Sequence, residues 1–357
     1  MTSGRNHSLN TPAIYIQPNN FADYLSHQRD YCLFLDIDGT LADFTLDPKD
    51  SIIPNATLLL LQKIQNHGVE IAIVTGRSLV EARQMLSPLQ LPIAATHGLE
   101  IAFDSIFNNA LSKPNDNHVA STMHVDNAEL TAIRQIISQY STSYSDLTIE
   151  NKPYSIALHF RKNPTLANVA HTIMLKTLSN YANWTLKQGK YVWEILPKGA
   201  DKGTAILTLL EKMQTDKELC AIFIGDDITD EAGFIAVQNE NTVFENEVSK
   251  NKAPKNKVSK NKVGEKRAIQ KFCSSANSSV NSSVKGMGIK VGSGPTCAHY
   301  YVNNIHEVTA LLDNFLSFCQ FVFYQRNATL SSDLADANLP LLKEQRDKSY
   351  EPINRLI

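Results

Sequence analysis

The sequence predicts an α/β protein in which a parallel sheet is interrupted by a separate α+β unit. Three observations carry that reading. Short apolar runs end abruptly in hydroxyl, glycine or charged residues, strand and helix patterns alternate between residues 30 and 98, and the order changes to αββαββ between 113 and 198. At 357 residues, 43% of them hydrophobic and 20% charged, the chain is long enough to bury two cores.

Residues 1–29 are mixed and polar, and read as a loose N-terminal arm in which Phe21 to Gln28 forms a short helix. Tyr31-Cys32-Leu33-Phe34-Leu35 is a buried strand that stops in the charged turn Asp36-Ile37-Asp38-Gly39-Thr40. Gly39 suits the sharp turn, and the Thr40 hydroxyl suits a hydrogen bond within it. A helix is expected from Ala56 to Asn66, where Leu58, Leu61 and Ile64 recur at helical spacing, with Gly68 at its end. The run Ile71-Ala72-Ile73-Val74 is a second strand ending in Thr75-Gly76-Arg77. A helix from Ser78 to Leu86 and a short strand, Ile93-Ala94-Ala95, ending in Thr96-His97-Gly98, follow. This alternation predicts a Rossmann-like core over 30–112, resumed over 199–325.

Between 113 and 198 the pattern predicts a cap domain: a helix over Ala128–Tyr140, a hairpin of Leu147–Glu150 and Tyr154–Arg161, a helix over Thr165–Tyr181, and a hairpin of Trp184–Lys187 and Lys190–Leu196 turning at Gln188-Gly189. Strand parity puts Tyr154, Ile156, Leu158 and Phe160 on one face and His159 and Arg161 on the other; Lys190, Val192 and Glu194 likewise alternate with Tyr191, Trp193 and Ile195. One face is therefore expected against helices, and the other presents charge. Back in the core, a helix is expected over Thr204–Lys212 and a strand at Ala221–Ile224, which ends in Gly225-Asp226-Asp227-Ile228-Thr229-Asp230-Glu231. Residues 245–285 are low in complexity and rich in Lys, Ser and Asn, and read as a disordered insert. Strands at Gly288–Gly292 and Tyr300–Val302 and a helix from His306 to Phe321 close the core, and 326–357 form a C-terminal tail.

The net charge of −2 hides an asymmetry. Residues 250–271 hold eight Lys, one Arg and one Glu, a net +8 that leaves −10 for the rest. A mildly acidic body without aromatic interleaving in the basic run argues against nucleic acid as a partner. The five Cys show no CxxC pair, and Cys32 and Cys220 adjoin apolar runs, as expected of buried thiols in a reducing compartment. The first 30 residues hold no apolar segment behind a basic one, and no run approaches 18 apolar residues. A cytoplasmic monomer acting on a small molecule, with no membrane partner, is the expectation.

The acidic strand ends ask for phosphoryl chemistry. Two carboxylates one residue apart repel unless a cation sits between them, and oxygen ligands of this type suit Mg²⁺. Asp36 is the candidate nucleophile, forming an aspartyl-phosphate, and Asp38 the acid that protonates the leaving oxygen and then activates water. Asp36, Asp226 and the main-chain carbonyl of Asp38 are the expected metal ligands, with Asp227 and Asp230 orienting metal waters. Thr75 and Lys202 are expected to donate to the transferring phosphoryl group.

Asp-x-Asp-Gly-Thr-Leu, Thr-Gly-Arg, a downstream Lys and Gly-Asp-Asp-x-Thr-Asp-Glu resemble the four motifs of the haloacid dehalogenase superfamily, and an αββαββ insertion after the second motif resembles its type-two cap. Glu150-x-Lys152, His159-x-Arg161, Gly189-Lys190-x-Val192-x-Glu194, Pro197 to Gly203, and Val291-Gly292 through Thr296-x-Ala298 further resemble the trehalose-6-phosphate phosphatases. The resemblance covers roughly residues 30–322. It implies hydrolysis of trehalose 6-phosphate, with Lys152, His159, Lys190 and Glu194, then Glu150 and Arg161, on the distal glucose, and with Arg77 and Gly98 along the sugar path. The insert and the tail have no counterpart in that pattern. The alternatives are a phosphatase for another sugar phosphate, of the sucrose 6-phosphate or mannosyl-phosphoglycerate type, and a phosphomannomutase-like enzyme; a mutase would call for more cap arginine than Arg161.

Overall fold

The computed structural model describes residues 12–45, 47–103, 118–121, 125–213, 219–238 and 286–347. The reading of 245–285 as a disordered insert therefore lies outside the described residues.

In chain order, the elements begin with strand β1 (Ile14–Tyr15), a 3₁₀ turn at Pro18–Tyr24, and strand β2 (Asp30–Leu35). Helix α1 (Asn55–Asn66), β3 (Glu70–Val74), α2 (Leu79–Leu86), β4 (Ile93–Ala95), β5 (Glu100–Phe103) and β6 (His118–Ser121) follow. Next come α3 (Asn127–Ser141), β7 (Thr148–Asn151), β8 (Ile156–His159), α4 (Ala167–Leu178), β9 (Trp184–Gly189) and β10 (Val192–Pro197). The last are α5 (Lys202–Met213), β11 (Leu219–Gly225), α6 (Glu231–Gln238), β12 (Met287–Val291), β13 (Tyr300–Val302) and α7 (Ile305–Asp347).

Nine strands form one sheet in the order β1-β13-β12-β11-β2-β3-β4-β5-β6. Pairing is parallel from β1 to β4 and antiparallel at β4–β5 and β5–β6. Strand β2 is central, and its alternation divides the core. Tyr31, Leu33 and Leu35 pack with α1, α2 and α7 on one face, while Cys32 and Phe34 pack with α5 and α6 on the other. The expected α/β class holds.

The second sheet, β7-β8-β10-β9, is antiparallel throughout. Ile156 and Leu158, Trp193 and Ile195, and Trp184 and Leu186 turn one face onto α3 and α4, making an apolar cluster separate from those of the larger sheet. Asp126 caps α3 by accepting from Ala128 N and Glu129 N, and the Trp184 indole donates to Glu129 at 2.7 Å.

Four expectations change. Residues 12–29 are not a free arm: β1 pairs with β13, Phe21 is buried against Phe315 of α7, and the turn at 18–24 is 3₁₀ and ends before Gln28. The boundary placed at 112/113 lies later, because His118–Ser121 pairs with β5 in the nine-stranded sheet. The second hairpin turns at Lys190-Tyr191, where Tyr191 takes φ 62, two residues beyond the expected turn. Helix α7 continues through 326–347 rather than ending near Phe321. Cys32, Cys220 and Cys319 are buried thiols outside any disulfide, whereas Cys297 is disulfide-bonded. Among the described residues, no helix is long and apolar enough to cross a membrane.

Candidate active site

Three neighbouring strands, β3, β2 and β11, run parallel and release their chains at the same edge of the sheet. Thr75, Asp36 and Asp226 therefore meet there, as the physics of open α/β sheets anticipates. After β2 the chain closes a tight turn in which Leu41 N and Ala42 N both donate to Ile37 O. Gly39 takes φ 78 in that turn, and a Cβ on it would lie 2.2 Å from Asp226 Oδ2. Glycine thus supplies the left-handed conformation and the room for the neighbouring carboxylate.

Asp201 caps α5 by accepting from Thr204 N at 2.9 Å, which places Lys202 at the first helical position. A lysine there opposes the helix dipole, and two carboxylates compensate. Lys202 Nζ lies 3.0 Å from Asp36 Oδ2 and 2.6 Å from Asp230 Oδ1, all three groups being buried. Burial alone would lower its pKa, but Asp230 and Asp36 hold it above the usual lysine range. Burial, Asp230, Asp226 and Asp38 push the Asp36 pKa upward against Lys202, and burial with Asp230 and Asp227 brings Asp226 up to about 7.

Asp36, Asp226 and Asp230 can each turn a carboxylate oxygen to within 4.8 Å of the others. Three carboxylates around one buried ammonium leave excess negative charge, and the raised Asp36 and Asp226 show what it costs to keep them ionised without more positive charge. A divalent cation with oxygen preference fits this donor set. Asp227 stands outside the group of three. Its oxygens accept from Ile228 N at 2.7 Å and Lys190 N at 3.1 Å, so it caps the turn into α6 and receives the hairpin tip. Asp230 Oδ2 accepts from Asp227 N at 2.8 Å. Lys290 Nζ donates to the Asp226 carbonyl at 2.9 Å and supports that strand end from β12.

Asp38 and Arg77 form a bidentate pair: Nε donates to Oδ2 and Nη2 to Oδ1, both at 2.7 Å. Arg77 also donates to Pro48 O at 2.8 Å. Arg77, expected on the sugar path, lines the cavity and also grips Asp38. Thr75 is buried, and its Oγ1 accepts from Arg77 N at 3.2 Å.

The polar face of the second sheet closes the cavity from above. Asp36, Asp38, Thr75, Arg77, Lys202, Asp226 and Asp227 line it together with Glu150, Lys152, His159, Arg161, Lys190 and Glu194. Lys152 Nζ donates to Gly76 O across the boundary at 2.9 Å and to Glu194 at 3.2 Å. Glu194 also accepts from Ser155 Oγ at 2.5 Å. Burial would raise the Glu194 pKa, but Lys152, His97 and Ser155 hold it far below the ordinary glutamate value. His159 Nε2 and Glu150 Oε2 lie 2.7 Å apart, and Lys152 and His159 outweigh burial to lower the Glu150 pKa.

Arg161 donates to Thr45 O and stacks its guanidinium 4.0 Å over the Phe44 ring. Lys190 Nζ lies 4.4 Å over the same ring and 3.5 Å from Asp226 Oδ2, so it reaches the acidic strand ends from the turn rather than from a strand face. Gly98 does not line the cavity. It takes φ 93 and brings the chain so close to α5 that a Cβ would lie 2.7 Å from Ala205 Cβ.

Lys187, His97, Phe44, Pro48 and Glu81 also line the cavity and were not among the expected site residues. Lys187 was legible by parity, since it shares its face with Thr185 opposite Trp184 and Leu186; it donates to Ala200 O, and burial lowers its pKa. His97 stood in the Thr96-His97-Gly98 strand end, where Gly98 drew the attention. Phe44 and Pro48 lie in the aperiodic stretch after β2, and Glu81 lies in the helix expected from Ser78 to Leu86, where nothing marked it for the site.

Comparison with known proteins follows from this geometry. The family model described as trehalose-phosphatase matches residues 34–276. Over 208 residues the chain is 29% identical to the trehalose-6-phosphate phosphatase of Escherichia coli strain K12, covering 58% of this chain and 73% of that one. Over 221 residues it is 32% identical to a protein of Sinorhizobium fredii named "Probable trehalose-phosphate phosphatase", covering 61% and 78%. The fold is shared with the C-terminal domain of a Candida albicans trehalose-6-phosphate phosphatase, at TM-score 0.62 and 18% identity over 86% of this chain and 99% of that one.

Proposed function

The chain belongs to the trehalose-phosphatase family, and on that premise we propose that this phosphatase hydrolyses trehalose 6-phosphate to trehalose and phosphate through the residues described above. One observation carries the reading: a single cavity joins Asp36, Lys202 and Asp226 at the sheet edge to the Glu150, Lys152, His159 and Glu194 face of the second sheet. A phosphate and a polyhydroxyl group are thereby received at opposite ends of one molecule-sized space.

Asp36 attacks the phosphorus with a carboxylate oxygen, the bond from phosphorus to the sugar oxygen breaks, and Asp38 delivers a proton to that oxygen. Water then attacks the phosphorus of the aspartyl-phosphate, Asp38 takes its proton, and the bond to Asp36 breaks to release phosphate. Both Asp38 oxygens accept from the Arg77 guanidinium, so the first proton transfer requires one of these bonds to open, while the pair orients the ionised Asp38 as a base for the second. Lys202 and Thr75 donate to the phosphoryl oxygens. Asp36, Asp226 and the Asp38 carbonyl, with Asp230 and Asp227 behind them, would hold a Mg²⁺ ion, which would supply charge neutralisation at the phosphoryl group.

Glu150, Lys152, His159, Glu194 and Arg161 receive the distal glucose, since rows of carboxylate and ammonium groups on a rigid sheet suit sugar hydroxyls. Lys190 bridges the hairpin tip to Asp226 and shuts the cavity. Three buried thiols outside any disulfide support a cytoplasmic location, while the disulfide at Cys297 favours a more oxidising one; fractionation of the native host decides between them.

The test is phosphate release with Mg²⁺ from trehalose 6-phosphate, sucrose 6-phosphate, glucose 6-phosphate and mannosyl phosphoglycerate. A preference for trehalose 6-phosphate of about 100-fold or more in kcat/KM is expected. Equal slow turnover of all four would leave the phosphoryl chemistry and remove the sugar assignment.

A further inference from the structure

His97 lines the cavity and has no part in the chemistry above. His97 follows β4, is buried, and lines the same space as Asp36 and Glu194. Its Nε2 lies 3.2 Å from Glu194 Oε2, so the contact runs from the nine-stranded sheet to the four-stranded one. Burial lowers the imidazole pKa to about 4 in spite of Glu194, and the ring is neutral at pH 7. A carboxylate only accepts, so Nε2 carries the proton. Nδ1 is then a bare acceptor, and it is buried without a partner.

The surroundings are built around this ring. Thr96 and His97 both take left-handed backbone conformations, φ 47 and 56, which side chains rarely adopt; such strain persists where neighbouring structure over-determines it, commonly at functional sites. Two hydrogen bonds hold the turn to the strand end that carries Thr75 and Arg77: Thr96 N donates to Arg77 O at 2.8 Å and His97 N to Thr75 O at 3.0 Å. Gly76 provides the seat, since a Cβ there would lie 2.8 Å from the imidazole Cε1.

Glu194 has three donors. Lys152 and Ser155 belong to its own unit, and among the described residues His97 alone comes from the larger one. We propose that His97 is a positioning residue, which fixes the Glu194 carboxylate in the orientation that receives the sugar and thereby makes the sugar site complete only when the two units are together. The proposal rests on the reading that Glu194 contacts the sugar. It makes selectivity for the sugar depend on closure, without His97 touching the phosphoryl group.

The experiment compares wild type, His97→Asn, His97→Gln, Glu194→Gln and the His97→Asn/Glu194→Gln double variant on trehalose 6-phosphate and on p-nitrophenyl phosphate, which has no sugar. Asparagine tolerates the left-handed backbone but is too short to reach Glu194, while the glutamine amide reaches it. For His97→Asn the expected result is a rise in KM for trehalose 6-phosphate of about tenfold or more, the range for a hydrogen bond to a charged group. Its loss in kcat/KM on that substrate should exceed the loss on p-nitrophenyl phosphate by a similar factor. Glutamine should restore most of it, and the double variant should be no worse than Glu194→Gln by more than about twofold. Equal losses on both substrates, no rescue by glutamine, or losses that multiply in the double variant would overturn the proposal. If Glu194→Gln keeps a wild-type KM, the sugar reading of Glu194 fails. If Glu194→Gln is impaired and His97→Asn is not, the role of His97 alone fails.

Discussion

Replacing Lys202 by Met takes the one buried ammonium from between Asp36 and Asp230. At contacts of 3.0 and 2.6 Å, an effective dielectric of about 20 gives each pair roughly 6 kcal/mol of gross attraction. Desolvation of the ions takes back several kcal/mol apiece, so the net is far smaller; removing one partner of such a buried group costs about 3–5 kcal/mol, because the other is left uncompensated. Methionine fills most of the lysine stem, which leaves charge as the main loss. With roughly 2–4 °C per kcal/mol for a chain of this class, Tm in EDTA should fall by roughly 6–20 °C. The kcat for phosphate release should fall about 10²–10³-fold, as for loss of a donor to a transferring group. Calorimetry and phosphate release, each with and without Mg²⁺, separate the two effects. Added Mg²⁺ restores part of the Tm, since it too places positive charge beside Asp36, and leaves kcat low. A variant with unchanged Tm in EDTA and kcat within about threefold of wild type would refute the placement of Lys202 at the centre of the site.

Three further outcomes are expected. Gly39→Ala puts a methyl group 2.2 Å from Asp226 Oδ2 at φ 78; kcat should fall about 100-fold or more while far-ultraviolet circular dichroism stays native, the left-handed strain adding about 1–2 kcal/mol of destabilisation. Asp226, raised to about 7, takes up a proton in competition with a cation, so the Tm increase from Mg²⁺ should shrink between pH 7.5 and 5.5; an increase independent of pH would speak against Asp226 as a ligand. His97 titrates near 6.5 unfolded and at about 4 folded, so the unfolded chain binds more protons between those values. Its contribution is complete above about 6.5 and lost as pH falls towards 4, by up to about 3 kcal/mol. Urea unfolding of wild type and His97→Gln from pH 7.5 to 4.5 should show the difference in slope, and parallel curves would count against the buried neutral ring.

Much of this site could be read from spacing because it stands where strands end. Asp36, Thr75 and Asp226 each follow an apolar run, and the fold needs only adjacent parallel strands to bring them together. Parity on β8 and β10 likewise separated Leu158 and Ile195 from His159 and Glu194. What escaped depends on contacts that no period encodes. The pair in β1 is too short to show alternation, and its pairing with β13 joins residues almost 300 positions apart. Gln188-Gly189 resembles a turn, yet Gly189 ends a strand, where a Cβ would lie 2.8 Å from Val192 Cγ1. The Arg77 fork on Asp38 and the seat of His97 against Gly76 are tertiary arrangements of residues whose local sequence is unremarkable.

The position of β2 has a consequence for the chain while it is being made. Its neighbour β11 begins at Leu219, whereas β2 begins at Asp30. At synthesis rates of about 5–20 residues per second, the edge of β2 waits about 10–40 s for the strand that will cover it. The four-stranded unit, whose elements fall between 127 and 197, leaves the ribosome in that interval and finishes its own short-range pairings first. The strand that leads into Asp36 is thus open to the wrong neighbour on one side until late, which makes the delay between these two strands the step at which chaperones would matter most.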